Sequence, residues 1–161
     1  MSQLHSSADQ TSGHCIFCDL IRGAAEVSMV YEDAQSIAFL EVQPVNAGHV
    51  LVVPRAHYER VQDIPRRVAA HLFDVATKLI PVILTAADAN DLNIVVSSGA
   101  NAGQHVMHYH IHLIPRREDD GFEIPLPFAG SEMPNREQME AMAARIGSLL
   151  RDPLRNSGMK E

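Results

Sequence analysis

Apolar positions along the chain alternate between two periods, and the switches mark the elements. Residues 27–31, 36–40, 49–53, 92–96 and 108–114 are short apolar-rich runs bounded by turn-forming residues, and each predicts a strand. Between the third and fourth runs, Val68, Leu72, Val75, Leu79, Val82 and Ala86 recur at helical spacing. Asp63 is the expected N-cap of that long helix, with Pro65 in its first turn. Pro81 removes one backbone hydrogen bond at a cost of about 3 kcal/mol, so the helix is expected to kink near Thr77 yet continue. A short helix over residues 16–22 ends at Gly23. A final helix near residues 135–151 starts at Asn135, where Gln138 completes capping-box spacing, and carries a stripe of Met139, Met142, Ile146 and Leu149. Strands, one long helix and further strands in this order predict an α+β domain with an antiparallel sheet of about five strands.

Length changes little in this picture. With 161 residues the chain suits one domain, expected over residues 14–118, with a C-terminal extension over 119–161. Residues 1–13 are polar and are expected to be a disordered tail without a signal-peptide pattern. No uninterrupted apolar run has the length of a bilayer span, so a soluble, cytoplasmic protein without membrane contact is expected. The formal net charge of -7 argues against binding a nucleic-acid polymer, which requires a basic surface. It leaves room for a single nucleotide, whose phosphate can be held by backbone amides and imidazoles.

Candidate chemistry concentrates in one run. Of nine histidines, four lie between His105 and His112. In a strand, residues two apart share a face, so His108, His110 and His112 point one way and Tyr109, Ile111 and Leu113 the other. Three imidazoles spaced by about 6.5–7 Å at their roots can hold a polyanion from several sides. They can also ligate a catalytic metal, or simply form a solvated polar face.

The run His108-Tyr109-His110-Ile111-His112-Leu113-Ile114, with Gly103-Gln104 before it and Pro115-Arg116 after it, resembles the signature of the histidine triad (HIT) superfamily. The similarity extends to Phe39-Leu40-Glu41-Val42 and to the segment from Gly48 to Pro54, and it looks closest to zinc-containing bacterial HIT proteins. The resemblance implies a HIT-like fold and a hydrolase or transferase acting on the α-phosphate of purine nucleoside phosphoramidates or dinucleoside polyphosphates. It makes His110 the nucleophile, forming a nucleotidyl-histidine that water cleaves to an AMP-like monophosphate. It implies that the carbonyl of His108 holds the other ring nitrogen of His110, and that His112 stabilises charge on the phosphate. By the same resemblance Glu41 binds ribose, Asn93 lies near the phosphate, and Gly103, Gln104, His105 and Val106 form the phosphate-binding turn. His105 departs from the family, which usually carries serine or threonine there; a histidine can act as an acid toward the leaving group. A homodimer with the long helix and a strand at its interface is a further implication. A nucleotide-binding module without turnover and a catalytic zinc hydrolase remain as alternatives, and uridylyl transfer is disfavoured because relatives with that activity end the motif in glutamine.

Cys15 and Cys18 have the two-residue gap of half a zinc site. The same pair could be a redox couple or two inert thiols, although a strand-first redox setting is missing before Cys15. The resemblance completes a structural Zn2+ site with His49 and His108, and leaves His57 as a spare ligand.

Overall fold

The computed structural model describes residues 14–124 and 133–152. The expected tail over residues 1–13 and the end of the C-terminal extension lie outside the described residues. Helix α1 (Ile16–Ile21) leads into β1 (Met29–Glu32), β2 (Ser36–Leu40) and β3 (Val50–Pro54). The long helix α2 (Arg66–Ala87) is followed by β4 (Asp91–Val95), a single 3-10 turn over Ala100–Ala102, β5 (Ile111–Arg116) and α3 (Arg136–Leu150). The five strands form one antiparallel sheet in the order β1-β2-β3-β5-β4.

Alternation along the strands divides the core in two. Ala38, Val50, Val52, Tyr109, Ile111 and Leu113 face α2, which returns Val68, Leu72, Val75, Leu79 and Ile83 to them. Ile37, Phe39, Leu51 and Val53 face the other way and pack on Phe17 of α1. We call these the helix face and the site face. The expected amphipathic stripe of α2 is therefore present, except that Val82 is exposed. At 22 residues α2 is long and apolar enough by composition to cross a bilayer, but charged residues interrupt it and its apolar side packs on the sheet.

Three boundaries differ from expectation for local reasons. Pro65, not Asp63, is the N-cap of α2; the Asp63 carboxylate instead accepts from the Arg60 amide. The helix runs uninterrupted through Pro81, an exposed position. His108, Tyr109 and His110 precede the paired part of β5, so only His112 of the triad sits in the ladder. The final helix starts as expected: the Asn135 side chain accepts from the Gln138 amide and Gln138 reaches back to Asn135. Its stripe of Met139, Met142, Ile146 and Leu149 stays exposed.

One glycine is demanded by the approach of elements. Gly48 has φ +88°, and a Cβ there would lie 3.0 Å from that of Ala87 and 3.4 Å from Cγ of Pro115. It lets the turn before β3 pass under the end of α2, which fixes the position of His49.

Candidate functional site

The approach to β5 is shaped by one buried amide. The side chain of Gln104 donates to the carbonyls of Glu59 (2.7 Å) and Val106 (3.0 Å) and accepts from the Gly99 amide (2.6 Å). Its hydrogen-bonding capacity is thus used inside the loop, and it shapes the turn rather than offering a free group to a ligand. Gly103 closes that turn at φ +81°, Val106 packs on the Phe17 cluster, and His105 is exposed beside it.

From His108 the chain is extended, and alternation sends Tyr109, Ile111 and Leu113 into the helix face. His108, His110 and His112 point to the site face, as the sequence predicts. The rings of His108 and His110 are each fixed by a carbonyl, which can only accept. Nε2 of His108 donates to the Pro54 carbonyl (2.9 Å), so its Nδ1 carries the lone pair. Nδ1 of His110 donates to the His108 carbonyl (2.7 Å), so its Nε2 carries the lone pair.

His112 takes the opposite form. His49, buried, accepts from the Val45 amide at Nδ1 (3.2 Å) and must therefore donate from Nε2 to Nδ1 of His112 (3.0 Å). Nε2 of His112 then carries its proton. The rings of His110 and His112 lie 4.7 Å apart, one presenting an electron pair and its neighbour a proton. Phe17 meets His110 edge-on at 5.3 Å.

Burial keeps these rings neutral. It pushes His112 down to about 4, with repulsion from His110, His49 and His105 adding to it. It pushes His108 down to about 4 against the opposing pull of the Pro54 carbonyl. His110 and His49 are also lowered by burial, an effect opposed by the negative charge of Glu41 and, for His110, by the His108 carbonyl. Glu41 thus lies close enough to act on two of the histidines; its carboxylate accepts from the Gln43 amide (3.1 Å). Asn93 lies on the same side of the sheet as His112, two residues along β4 from the His112 partner Val95. It faces Ile114 in the β4–β5 ladder, and its side-chain oxygen accepts from Arg116 (2.6 Å).

A second cluster adjoins the triad. Nδ1 of His108 lies 3.4 Å from Sγ of Cys15 and 3.6 Å from Sγ of Cys18, and Nδ1 of His57 lies 3.4 Å from Sγ of Cys18. All four donor atoms fall within 4.8 Å of one another. A tetrahedral ion bound at the usual Zn–S and Zn–N lengths holds its sulfur and nitrogen ligands about 3.5 Å apart, so two thiols and two imidazoles here fit zinc. Cys15, Cys18, His57 and His108 therefore form a candidate metal site, and the fourth ligand is His57 instead of His49. The reason is geometric. His49 immediately precedes β3, where alternation puts it on the side of Leu51, and Leu51 pairs with His112. Pro54 ends β3, and the chain beyond it turns back to stack His57 on His108 at 4.8 Å between ring centres.

An α+β domain with a five-stranded antiparallel sheet, carrying three tautomer-fixed histidines at the start of one inner strand, defines the class of protein. The HIT domain model matches residues 22–119, and the chain belongs to that family. It is similar to adenylylsulfatase HINT3 of Arabidopsis thaliana, 36% identical over 106 residues, which are 66% of this chain and 54% of that protein. A HIT-family crystal structure from Bacillus subtilis superposes with a TM-score of 0.80 and 33% identity, covering 87% of this chain and 99% of the other. A zinc-bound histidine triad protein from Mycobacterium smegmatis superposes with a TM-score of 0.64 and 28% identity, covering 83% and 96%.

Proposed function

We propose that the protein is a nucleotidyl hydrolase or transferase that attacks the α-phosphorus of purine nucleoside phosphoramidates or dinucleoside polyphosphates and releases a nucleoside monophosphate. The observation that carries this reading is the opposed protonation of His110 and His112. An unprotonated Nε2 is a nucleophile at neutral pH, and a neighbouring N–H is a donor for a phosphoryl oxygen. The adenylylsulfatase activity named for HINT3 is displacement at the same kind of phosphorus, and supports it.

In the first half-reaction Nε2 of His110 forms a bond to phosphorus while the bond to the leaving group breaks. The leaving atom keeps the electron pair and takes a proton from His105, which acts as the general acid. Water then attacks phosphorus, its proton passes to His105, and His110 is released. The His108 carbonyl holds the Nδ1 proton of His110 throughout, and His112 donates to the phosphoryl oxygens. Glu41 takes the ribose hydroxyls, the base lies against the outer edge of the apolar cluster that holds Phe17, Ile21, Phe39 and Leu51, and the Gly103–Val106 turn borders the phosphate.

Cys15, Cys18, His57 and His108 would hold a structural Zn2+, which would tie α1 to the segments that carry His57 and His108. Thiol ligands of this kind stay reduced in the cytoplasm, which is where we place the protein. A homodimer is the expected assembly: β4 is an edge strand with Ile94 exposed, and Phe73 and Val82 project from α2. The test of function is to quench the reaction with adenosine phosphoramidate and with diadenosine polyphosphates and look for a covalent adenylyl adduct. An adduct that disappears with turnover in His110→Ala is expected. Full turnover by that variant overturns the proposal.

A further inference from the structure

The irregular segment between β3 and α2 touches both the thiol cluster and the loop that precedes the triad. Glu59, Arg60, Val61 and Gln62 are exposed, so little apolar burial holds this segment in place. Polar contacts hold it instead. On one side, Nδ1 of His57 lies 3.4 Å from Sγ of Cys18, and the His57 ring stacks on His108. On the other side, the Tyr58 carbonyl accepts from the Tyr109 amide (2.5 Å) and the Glu59 carbonyl accepts from the Gln104 side chain (2.7 Å). The Val61 amide then donates to Oγ of Ser98 (3.1 Å).

The receiving loop is closed by the same residue that makes the middle tie. Gly99 and Gly103 adopt positive φ (97° and 81°) on either side of the turn over Ala100–Ala102. Across that turn the Gln104 amide donates to the Gly99 carbonyl (3.2 Å), and the Gly99 amide donates to the Gln104 side-chain oxygen (2.6 Å). The two side-chain protons of Gln104 go to Val106 inside the loop and to Glu59 outside it. Gln104 is 5% exposed, so a shift of Glu59 leaves a buried donor without its acceptor unless the loop moves too.

We propose that metal binding at Cys15, Cys18, His57 and His108 and nucleotide binding at the Gly103–Val106 turn are coupled through residues 57–61, with Gln104 and Ser98 as the positioning residues that carry the coupling. The inference rests on the reading that this turn borders the phosphate. A metal ion on His57 fixes the start of the segment, and with it the Glu59 carbonyl and the Val61 amide a few residues on. With His57 released, an exposed stretch is tied at one side alone, and the loop can leave the shape that meets a phosphate. A nucleotide that holds the loop holds Glu59 and Val61 in return. Both ligands favour the same arrangement of the segment, so each raises the affinity of the other by the same factor. Nucleotide affinity then follows the availability of zinc.

The test measures zinc affinity of the full-length protein by competition with a chelating dye, with and without saturating AMP. AMP affinity is measured by equilibrium dialysis with and without zinc. A change of roughly tenfold, equal in the two directions, is expected for the wild type. Gln104→Ala should bring the factor near one while zinc still binds. Ser98→Ala, at an exposed tie, should reduce it, and Ser98→Thr, which keeps the hydroxyl, should restore it. A wild-type factor near one overturns the coupling while the nucleotide site stands. So does a factor that Gln104→Ala and Ser98→Ala both leave intact, as wholesale unfolding of the metal-free protein would give. Absence of AMP binding to the zinc-loaded wild type overturns the nucleotide reading of the turn and the coupling together, and failure to bind zinc overturns the metal site and the coupling.

Discussion

Replacing His49 by leucine separates the tautomer of His112 from its mere presence. In the folded protein one partly buried hydrogen bond, 3.0 Å long, holds the His112 proton on Nε2. Such a bond stabilises by about 1–1.5 kcal/mol, which corresponds to roughly a tenfold bias between the two neutral forms. Leucine removes the bias, so the donor-competent form falls to about half, and it also frees the ring to turn. Full loss of a donor to a developing oxyanion costs about 10²–10³ in kcat. His49→Leu should therefore lie between these limits, near a tenfold loss in single-turnover rate, while His112→Ala falls by about 100-fold or more. His49→Gln, whose amide can accept from Val45 and donate to His112, should recover most of the rate. Nitrogen-15 NMR of the imidazoles reports the tautomer directly. A wild-type rate in His49→Leu, or an Nδ1-protonated His112 in the wild type, refutes the reasoning.

Three other outcomes follow from the geometry. Metal analysis should find about one zinc per chain in His49→Leu and little in His57→Ala, since of these two histidines it is His57 that joins the thiols and His108; the reverse would reinstate the assignment made from the family resemblance. Burial works against ionisation of Asp33, but bonds from the Gln35 and Ser36 amides, Tyr31 and the Ser36 hydroxyl outweigh it and hold its carboxyl well below the usual range. Its folded value is the lower one, so its stabilising contribution is complete above the unfolded value of about 4 and is lost as pH falls below that. Asp33→Asn should lower stability by about 1–2 kcal/mol at pH 7 and flatten the acid limb of urea-melt stability; equal steepness in both proteins would count against it. Gly48→Ala should cost about 1–3 kcal/mol in urea denaturation, from positive φ and the 3.0 Å approach to Ala87, and a neutral result would show that the turn can shift.

The sequence carried most of the architecture because local rules suffice for it. Asn135 and Gln138 announce the start of α3, and period-2 alternation around Tyr109 is enough to put three histidines on one face. The acceptor for the His110 proton came from the family resemblance and not from any local rule, and the His108 carbonyl lies within hydrogen-bond reach of Nδ1. What could not be read depends on where distant segments meet. Residues 49 and 57 are both histidines at plausible distance from the cysteines, and only the β3–β5 register assigns one to His112 and the other to the thiols. Gln104 is a polar residue before the motif in either case; its burial under Glu59, from a segment 45 residues earlier, turns it inward. Asn93 likewise is taken by Arg116. Arg116 and Asp120 stand four residues apart in the sequence, but nothing local says that they pair and turn the chain after β5.

His108 serves two neighbourhoods through different atoms: its ring nitrogen faces the sulfurs, and its peptide oxygen holds the nucleophile's proton. Any event at the thiols, whether chelation, oxidation or alkylation, is therefore one residue away from the aim of the attacking ring. Inactivation by thiol reagents would then be expected even though neither cysteine touches the substrate, and it would mimic a catalytic cysteine in a chemical-labelling survey.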